Sequence, residues 1–243
     1  MGFTSCTVNK KRKFMQTYKD CAKFPEDLTD VELDPNLTRI AKEAFHDCCN
    51  ITSVTIPDLV TVIDICSFLG CESIVELHLS FSLKKIERIA FGECSSIVEL
   101  SFPPLLETIG ESSFSGCASV KNITSQNQNA PLSITTIESS AFEGCVSLSN
   151  LPYLTSLQRI GPLAFLDCTS LTEVTLAPSV VCAARNSFDG CTSLKILRCT
   201  YHEGNVVPWA VTDIILDCNT KNISNSAFAG CRFLCRIILT AFI

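Results

Sequence analysis

The chain has 243 residues, 47% of them hydrophobic and 18% charged, with a mean hydropathy of +0.30 and a formal net charge of −6. That composition is too apolar for a disordered chain, and no uninterrupted apolar run reaches the ~18 residues of a membrane span. The acidic balance argues against general nucleic-acid affinity, so neither nucleic acid nor a membrane is an expected partner.

Residues 1–24 form an extension ahead of the repeats. "MGFTSCTVNKKRKF" is polar and basic, with no apolar segment behind the basic cluster, unlike a secretory signal. Gly2 stands where N-myristoylation requires it, but Cys6 occupies the place of the usual Ser or Thr. Cys6 is the alternative acyl acceptor, with the basic run 10–13 beside it. Phe14, Tyr18 and Cys21 recur at i, i+4 and i+7. That spacing predicts a short amphipathic helix capping the exposed core of the first repeat turn.

Residues 25–243 are repetitive. "AFEGCVSL" at 141–148 has near-copies along the chain, with its Phe at Phe45, Phe68, Phe91, Phe114, Phe142, Phe165, Phe188 and Phe228. Successive spacings are 23, 23, 23, 28, 23, 23 and 40. Ala or Ser precedes every Phe, Cys follows three places later, and an aliphatic residue three places beyond that. A fixed period of this length is the mark of a solenoid. The rest of the unit alternates, as in "IVELHL" (74–79), "IVELSF" (97–102) and "LTEVTL" (171–176), which predicts a half-buried strand.

Carrying the strand register back to "LTDVEL" (28–33) and into "VTDIIL" (211–216) gives ten strand turns. Their centres are Val31, Val54, Leu77, Leu100, Ile123, Leu151, Val174, Leu197, Ile214 and Ile237. A polar insert at 125–130 and a shortened turn at 200–216 interrupt the period. Between strand and Phe block lies a third element with an inward Ile, as in "LLETIGESSF" (105–114).

The unit L-x-x-I-x-x-x-A-F-x-x-C-x-S-L-x-x-L-x-L-P, over about residues 28–240, resembles the BspA-like leucine-rich repeats. The fold expected is α/β and β-rich: a leucine-rich-repeat-like solenoid with one parallel sheet along one face. The resemblance implies surface adhesion or host-matrix binding, as in some members.

The residue types fit stacked turns. One turn cannot bury its own apolar side, so neighbours supply the core. The Phe column is expected to stack on the wall opposite the sheet. Gly precedes Cys in five copies, as a turn with positive φ would favour. The eight repeat Cys are expected to be buried free thiols, since parallel neighbours ~5 Å apart do not converge as a disulfide requires. Sixteen cysteines, largely unpaired, fit a reducing compartment, and cytoplasmic localisation is the expectation, with the cell surface as alternative.

No C-x-x-C pair, P-loop, dinucleotide fingerprint or G-x-S-x-G occurs, so no metal or cofactor is expected, and no enzyme. The one constellation for a hydrolase is "FHDCC" (45–49), with His46 beside Cys48 and Cys49. It needs thiol and imidazole to converge.

The function expected is protein binding through the exposed strand face. In x-L-x-L-x strands the residues flanking each inward aliphatic point outward together. They are Asp30, Glu32 and Asp34, then Glu76 and His78, Glu99 and Ser101, Asn122, Glu173 and Thr175, and Arg198. Asp213 and Arg236 continue the face. Glu76 beside Glu99 makes it acidic and suggests a basic protein partner. A membrane-anchored or surface-displayed adhesin is the alternative. "CRIILTAFI" (235–243) shows no polar cap, so self-association through that turn is a further expectation.

Overall fold

The computed structural model describes residues 5–8, 15–17, 29–127, 131–180, 182–184, 186–200, 211–223, 225, 227–229 and 231–240. The expected β-rich solenoid is present, and all regular elements among the described residues are strands. Eight turns carry the Phe/Cys block, rather than ten complete units. The first strand, Asp30–Leu33, and the strand of the short turn, Asp213–Leu216, have no such block before them in the sequence, whereas Phe228 precedes the last strand, Arg236–Leu239.

Strands form at nine of the ten expected centres, all with parallel neighbours along the repeats. Asp30–Leu33, Ser53–Thr55 and Glu76–His78 pair in order. Glu99–Phe102 pairs with Asn122–Ser125. Glu173–Thr175, Ile196–Cys199, Asp213–Leu216 and Arg236–Leu239 complete the series. The ladder is therefore three sheets in one register, not one continuous sheet. One break falls at Leu151, where no strand forms. Pro152 follows it and has no N–H to donate to a ladder. The stack persists there through Ser149 N–H to the Lys121 carbonyl at 3.1 Å and Asn150 Nδ2 to Asn122 Oδ1 at 3.3 Å.

A second ladder runs parallel to the first. Arg39–Ile40, Val62–Ile63, Lys85–Ile86, Thr108–Ile109, Thr136–Ile137, Arg159–Ile160 and Cys182–Ala183 make a seven-stranded sheet of two-residue strands. These are the "inward Ile" elements of the sequence.

The Phe blocks form the third wall, and neither helix nor strand builds it. Their N–H groups donate to the following turn instead. Phe45 bonds to the Ser67 carbonyl at 2.7 Å, Phe68 to Ala90 at 2.8 Å and Phe91 to Ser113 at 2.8 Å. Two left-handed positions per turn make this possible. The residue before Cys is left-handed whether it is Gly (Gly70, Gly116, Gly144, Gly190; φ 71 to 76°) or acidic (Asp47, Glu93, Asp167; φ 58 or 59°). Two places before Phe, Glu43, Cys66, Ile89, Ser112, Ser140 and Leu163 have φ between 51 and 57°. Such φ values are unfavourable for side chains, most of all for a β-branched Ile. At Ile89 the conformation is held by an N–H bond to the Glu111 carbonyl at 2.8 Å.

Inside, seven Phe rings from Phe45 to Phe188 stack in one column. Centroids lie 4.8 to 5.5 Å apart and planes within 6° of parallel. All seven are buried, as are the Ile of the second ladder and the central aliphatics of the strands from Val31 to Ile214; Ile237, expected inward, is exposed in the last strand. Phe228 is half-buried.

The N-terminal edge differs from expectation. Met15–Thr17 is a strand, and it pairs antiparallel with Ser5–Val8, which pairs antiparallel with Asp30–Leu33. The rest of the expected helix, Phe14, Tyr18 and Cys21 included, lies outside the described residues. A strand pair satisfies the open backbone groups of the first repeat strand, which a helix could not do.

Candidate functional site

The strands hold the expected binding residues by alternation: one neighbour in, the next out. Glu76 and His78 flank buried Leu77 and are exposed. Glu99 is exposed; Ser101 and Asn122 are half-buried. Registered pairs run Ser53 to Glu76, Glu99 to Asn122 and Ser101 to Thr124. Glu76 and Glu99 are not a registered pair, because the ladder is interrupted between their strands. Neither forms an ion pair among the described residues.

Further along the face, charges are compensated within it. Thr175 is registered with Arg198, whose Nε lies 2.7 Å from Glu173 Oε1. Asp213, expected outward, is buried, and it accepts hydrogen bonds from Arg236 and Thr212. The Arg236 guanidinium holds the Asp213 carboxyl below its ordinary range. The strand Arg236–Leu239 is exposed along its whole length.

One correction falls at the N-terminal end. Asp34 is not a face residue: it lies past the end of Asp30–Leu33, and its Oδ1 accepts from the Asn36 N–H at 2.9 Å. Asp is suited to that turn because its short side chain reaches the backbone two residues on. Asp30 and Glu32 hold their register against Ser53 and Thr55, with side chains outside the described residues.

The face also bears a groove that the sequence did not announce. Thr55, Asp58, His78, Phe81, Ser101 and Gln126 line an open cavity of about 360 Å³. Gln126 comes from the polar insert, and its Nε2 donates to the Leu79 carbonyl at 2.8 Å, two turns back. Its Oε1 is buried without a hydrogen-bond partner. Phe81 is 55% exposed at the rim. A bond spanning 47 residues leaves no local mark in sequence.

The thiol column lies on the Phe-block wall and is inert by construction. From Cys71 to Cys191 each Sγ donates to the carbonyl of the Phe one turn earlier: Cys71 to Phe45, 2.9 Å; Cys94 to Phe68, 3.1 Å; Cys117 to Phe91, 3.2 Å. Cys145, Cys168 and Cys191 repeat the contact at 3.3, 3.2 and 3.1 Å. Burial pushes Cys94 and Cys117 well above the usual thiol range, and Cys145 up to about 12. Cys168 is raised chiefly by its hydrogen bond with Cys191, then by burial. A thiolate is the nucleophile, so these groups are poor ones. No cysteine whose side chain is described is joined in a disulfide.

The Cys–His constellation does not assemble. His46 Nε2 faces Asp47 Oδ2 at 3.4 Å. Cys48 is buried, and Cys49 Sγ donates to the Asp47 and Gly70 carbonyls at 3.3 and 3.4 Å. Among the described residues, no group of three or more His, Cys, Asp or Glu is placed to hold a metal ion, and no helix is long and apolar enough to cross a membrane.

Stacked strand turns of 23-residue period, with an outward strand face and an inward aliphatic and Phe core, define a leucine-rich repeat solenoid. The profile of the BspA type leucine rich repeat region matches in six copies over residues 16–133 and 126–203, and the chain belongs to that family. It is similar to a leucine-rich repeat protein from Bacteroides ovatus ATCC 8483, at 17% identity and TM-score 0.49, covering 99% of this chain and 76% of that one. It is also similar to a Treponema pallidum (T. pallidum) leucine rich repeat protein, at 21% identity and TM-score 0.36, covering 83% and 63%. A leucine rich cell surface protein from Faecalibacterium prausnitzii A2-165 matches at 20% identity and TM-score 0.43, covering 86% and 78%. No curated protein matches the chain.

Proposed function

We propose that the chain is a non-catalytic protein-binding module that engages a basic partner through the strand face around Glu76, His78 and Glu99. The observation that carries this reading is the two exposed carboxylates, on the third and fourth strands of the face, that have no counter-ion among the described residues. Elsewhere on that face Glu173 and Asp213 are matched by Arg198 and Arg236. An uncompensated acidic patch on a rigid scaffold steers a basic partner and loses on-rate as salt rises. The buried thiols from Cys71 to Cys191, each bonded to a carbonyl and none in a disulfide, support residence in a reducing compartment such as the cytoplasm.

The test is affinity capture from the native cell with the full chain as bait, against the Glu76→Lys, Glu99→Lys variant. Capture should fall with the double reversal and with added salt. Unchanged capture, combined with loss on replacing the exposed Phe-block residues Glu72 and Glu93, would move the site to the opposite wall.

A further inference from the structure

We infer that the groove between His78, Phe81 and Gln126 is a pocket for a single cationic side chain, Lys or Arg, of an extended basic segment in a protein partner. The inference rests on the strand-face reading above and names what that face recognises.

Three observations point to this occupant. The first is an orphaned acceptor. Gln126 Oε1 is buried without a partner while the Nε2 of the same amide is committed to the Leu79 carbonyl. Flipping the amide would set Oε1 against that carbonyl oxygen, so the orphan is fixed as an acceptor. A buried acceptor without a donor is costly, so the Gln126 side chain gains by turning Oε1 toward a donor that enters the groove it lines.

The second is charge. No Lys or Arg lines the groove, and Asp58, an exposed carboxylate, stands at it. Glu76 lies two residues from His78 on the same strand face, and Glu99 two residues from Ser101. At a strand rise of ~3.3 Å per residue, the backbones of Glu76 and Glu99 lie ~7 Å along their strands from those of the groove residues His78 and Ser101. None of the three has an ion-pair partner among the described residues.

The third is the exposed Phe81 ring beside these carboxylates. An aromatic face next to acidic groups accepts the stem of Lys or Arg and attracts its charged end. Ile56, Leu77 and Leu79 line the remaining walls and suit the apolar stem, and the hydroxyls of Thr55 and Ser101 add acceptors. A carboxylate ligand would meet Asp58, and an apolar one would leave Gln126 Oε1 unsatisfied.

The experiment is an NMR titration of the full ¹⁵N-labelled chain at low salt with N-acetyl-lysine-N-methylamide. N-acetyl-norleucine-N-methylamide, its uncharged near-isostere, is the comparison. The lysine probe should shift the Gln126 side-chain amide and the His78 and Phe81 backbone amides saturably in the millimolar range. Norleucine should bind at least about tenfold more weakly. Asp58→Asn and Gln126→Leu should each weaken the lysine probe several-fold. Asp58 is exposed, so its variant keeps the test valid if Gln126→Leu disturbs the insert. Equal response to both probes, or shifts at acidic residues throughout the chain without saturation, would overturn the pocket. Partner capture separates the two readings. If Glu76→Lys, Glu99→Lys abolishes capture while Asp58→Asn and Gln126→Leu leave both probe and capture unchanged, the face stands and the pocket fails. If capture ignores all four substitutions, both fail.

Discussion

The Cys94 thiol donates to the Phe68 carbonyl, 3.1 Å away and one turn earlier. The same contact recurs from Cys71 to Cys191, so each turn is tied to its predecessor by the two residues that define the repeat. The consequence for stability is alkaline sensitivity. A buried thiol stays protonated where the unfolded chain ionises, so the folded state holds more protons above the ordinary thiol value of 9.0. Its stabilisation is complete below pH 9 and is lost as pH rises towards the folded value of about 12 at Cys145. Unfolding free energy by urea titration should be flat from pH 7 to 8.5 and fall steadily above pH ~9, by up to ~1.4 kcal/mol per unit for each such thiol. A flat profile to pH 11 would mean that the thiols are accessible.

Replacing Phe142 by Ala removes a fully buried ring stacked on Phe114 and Phe165 at 5.5 and 5.3 Å. The expected cost is about 3–5 kcal/mol. Phe228, half-buried against the core, should cost clearly less. Denaturant unfolding of the two variants checks the order, and equal losses would contradict it.

The Ala/Ser column before each Phe yields opposite predictions at two serines. Ser113 Oγ is buried and unbonded, whereas Ser67 Oγ donates to the Ala41 carbonyl at 3.0 Å. Ala90, Ala141 and Ala164 fill the same place in other turns without strain. Ser113→Ala should therefore raise stability by about 1 kcal/mol, and Ser67→Ala should lower it by a similar amount. Thermal unfolding of both variants decides the sign.

Gly116 and Gly144 share a left-handed backbone, at φ 76 and 72°, but not the same surroundings. A Cβ on Gly116 would come within 2.5 Å of the Glu93 carboxylate, while on Gly144 it would meet nothing closer than 3.7 Å. Gly144→Ala should cost only the backbone strain, about 1 kcal/mol. Gly116→Ala should cost more, and Glu93→Ala should recover the excess. A double-mutant cycle in urea measures that recovery.

The sequence by itself determined the period, the strand register and the buried Phe and Cys columns. Each of these recurs many times along the chain, the Phe and Cys columns in eight turns, and a side chain facing the core must stay apolar wherever its turn stacks on another. Glu76, His78 and Glu99 were legible as outward residues for the same reason, since alternation in a strand is local. Tertiary contacts alone decided the rest. Two residues such as Val62–Ile63 carry no alternation, so their strand exists only through the neighbouring turns. The spacing of Phe14, Tyr18 and Cys21 suggested a helix, yet Met15–Thr17 is a strand, because an open sheet edge offers backbone partners. Asp213 went from face to burial through Arg236, 23 residues on. Gln126 reached Leu79 across 47 residues, and such a contact depends on how turns stack, which no single turn encodes.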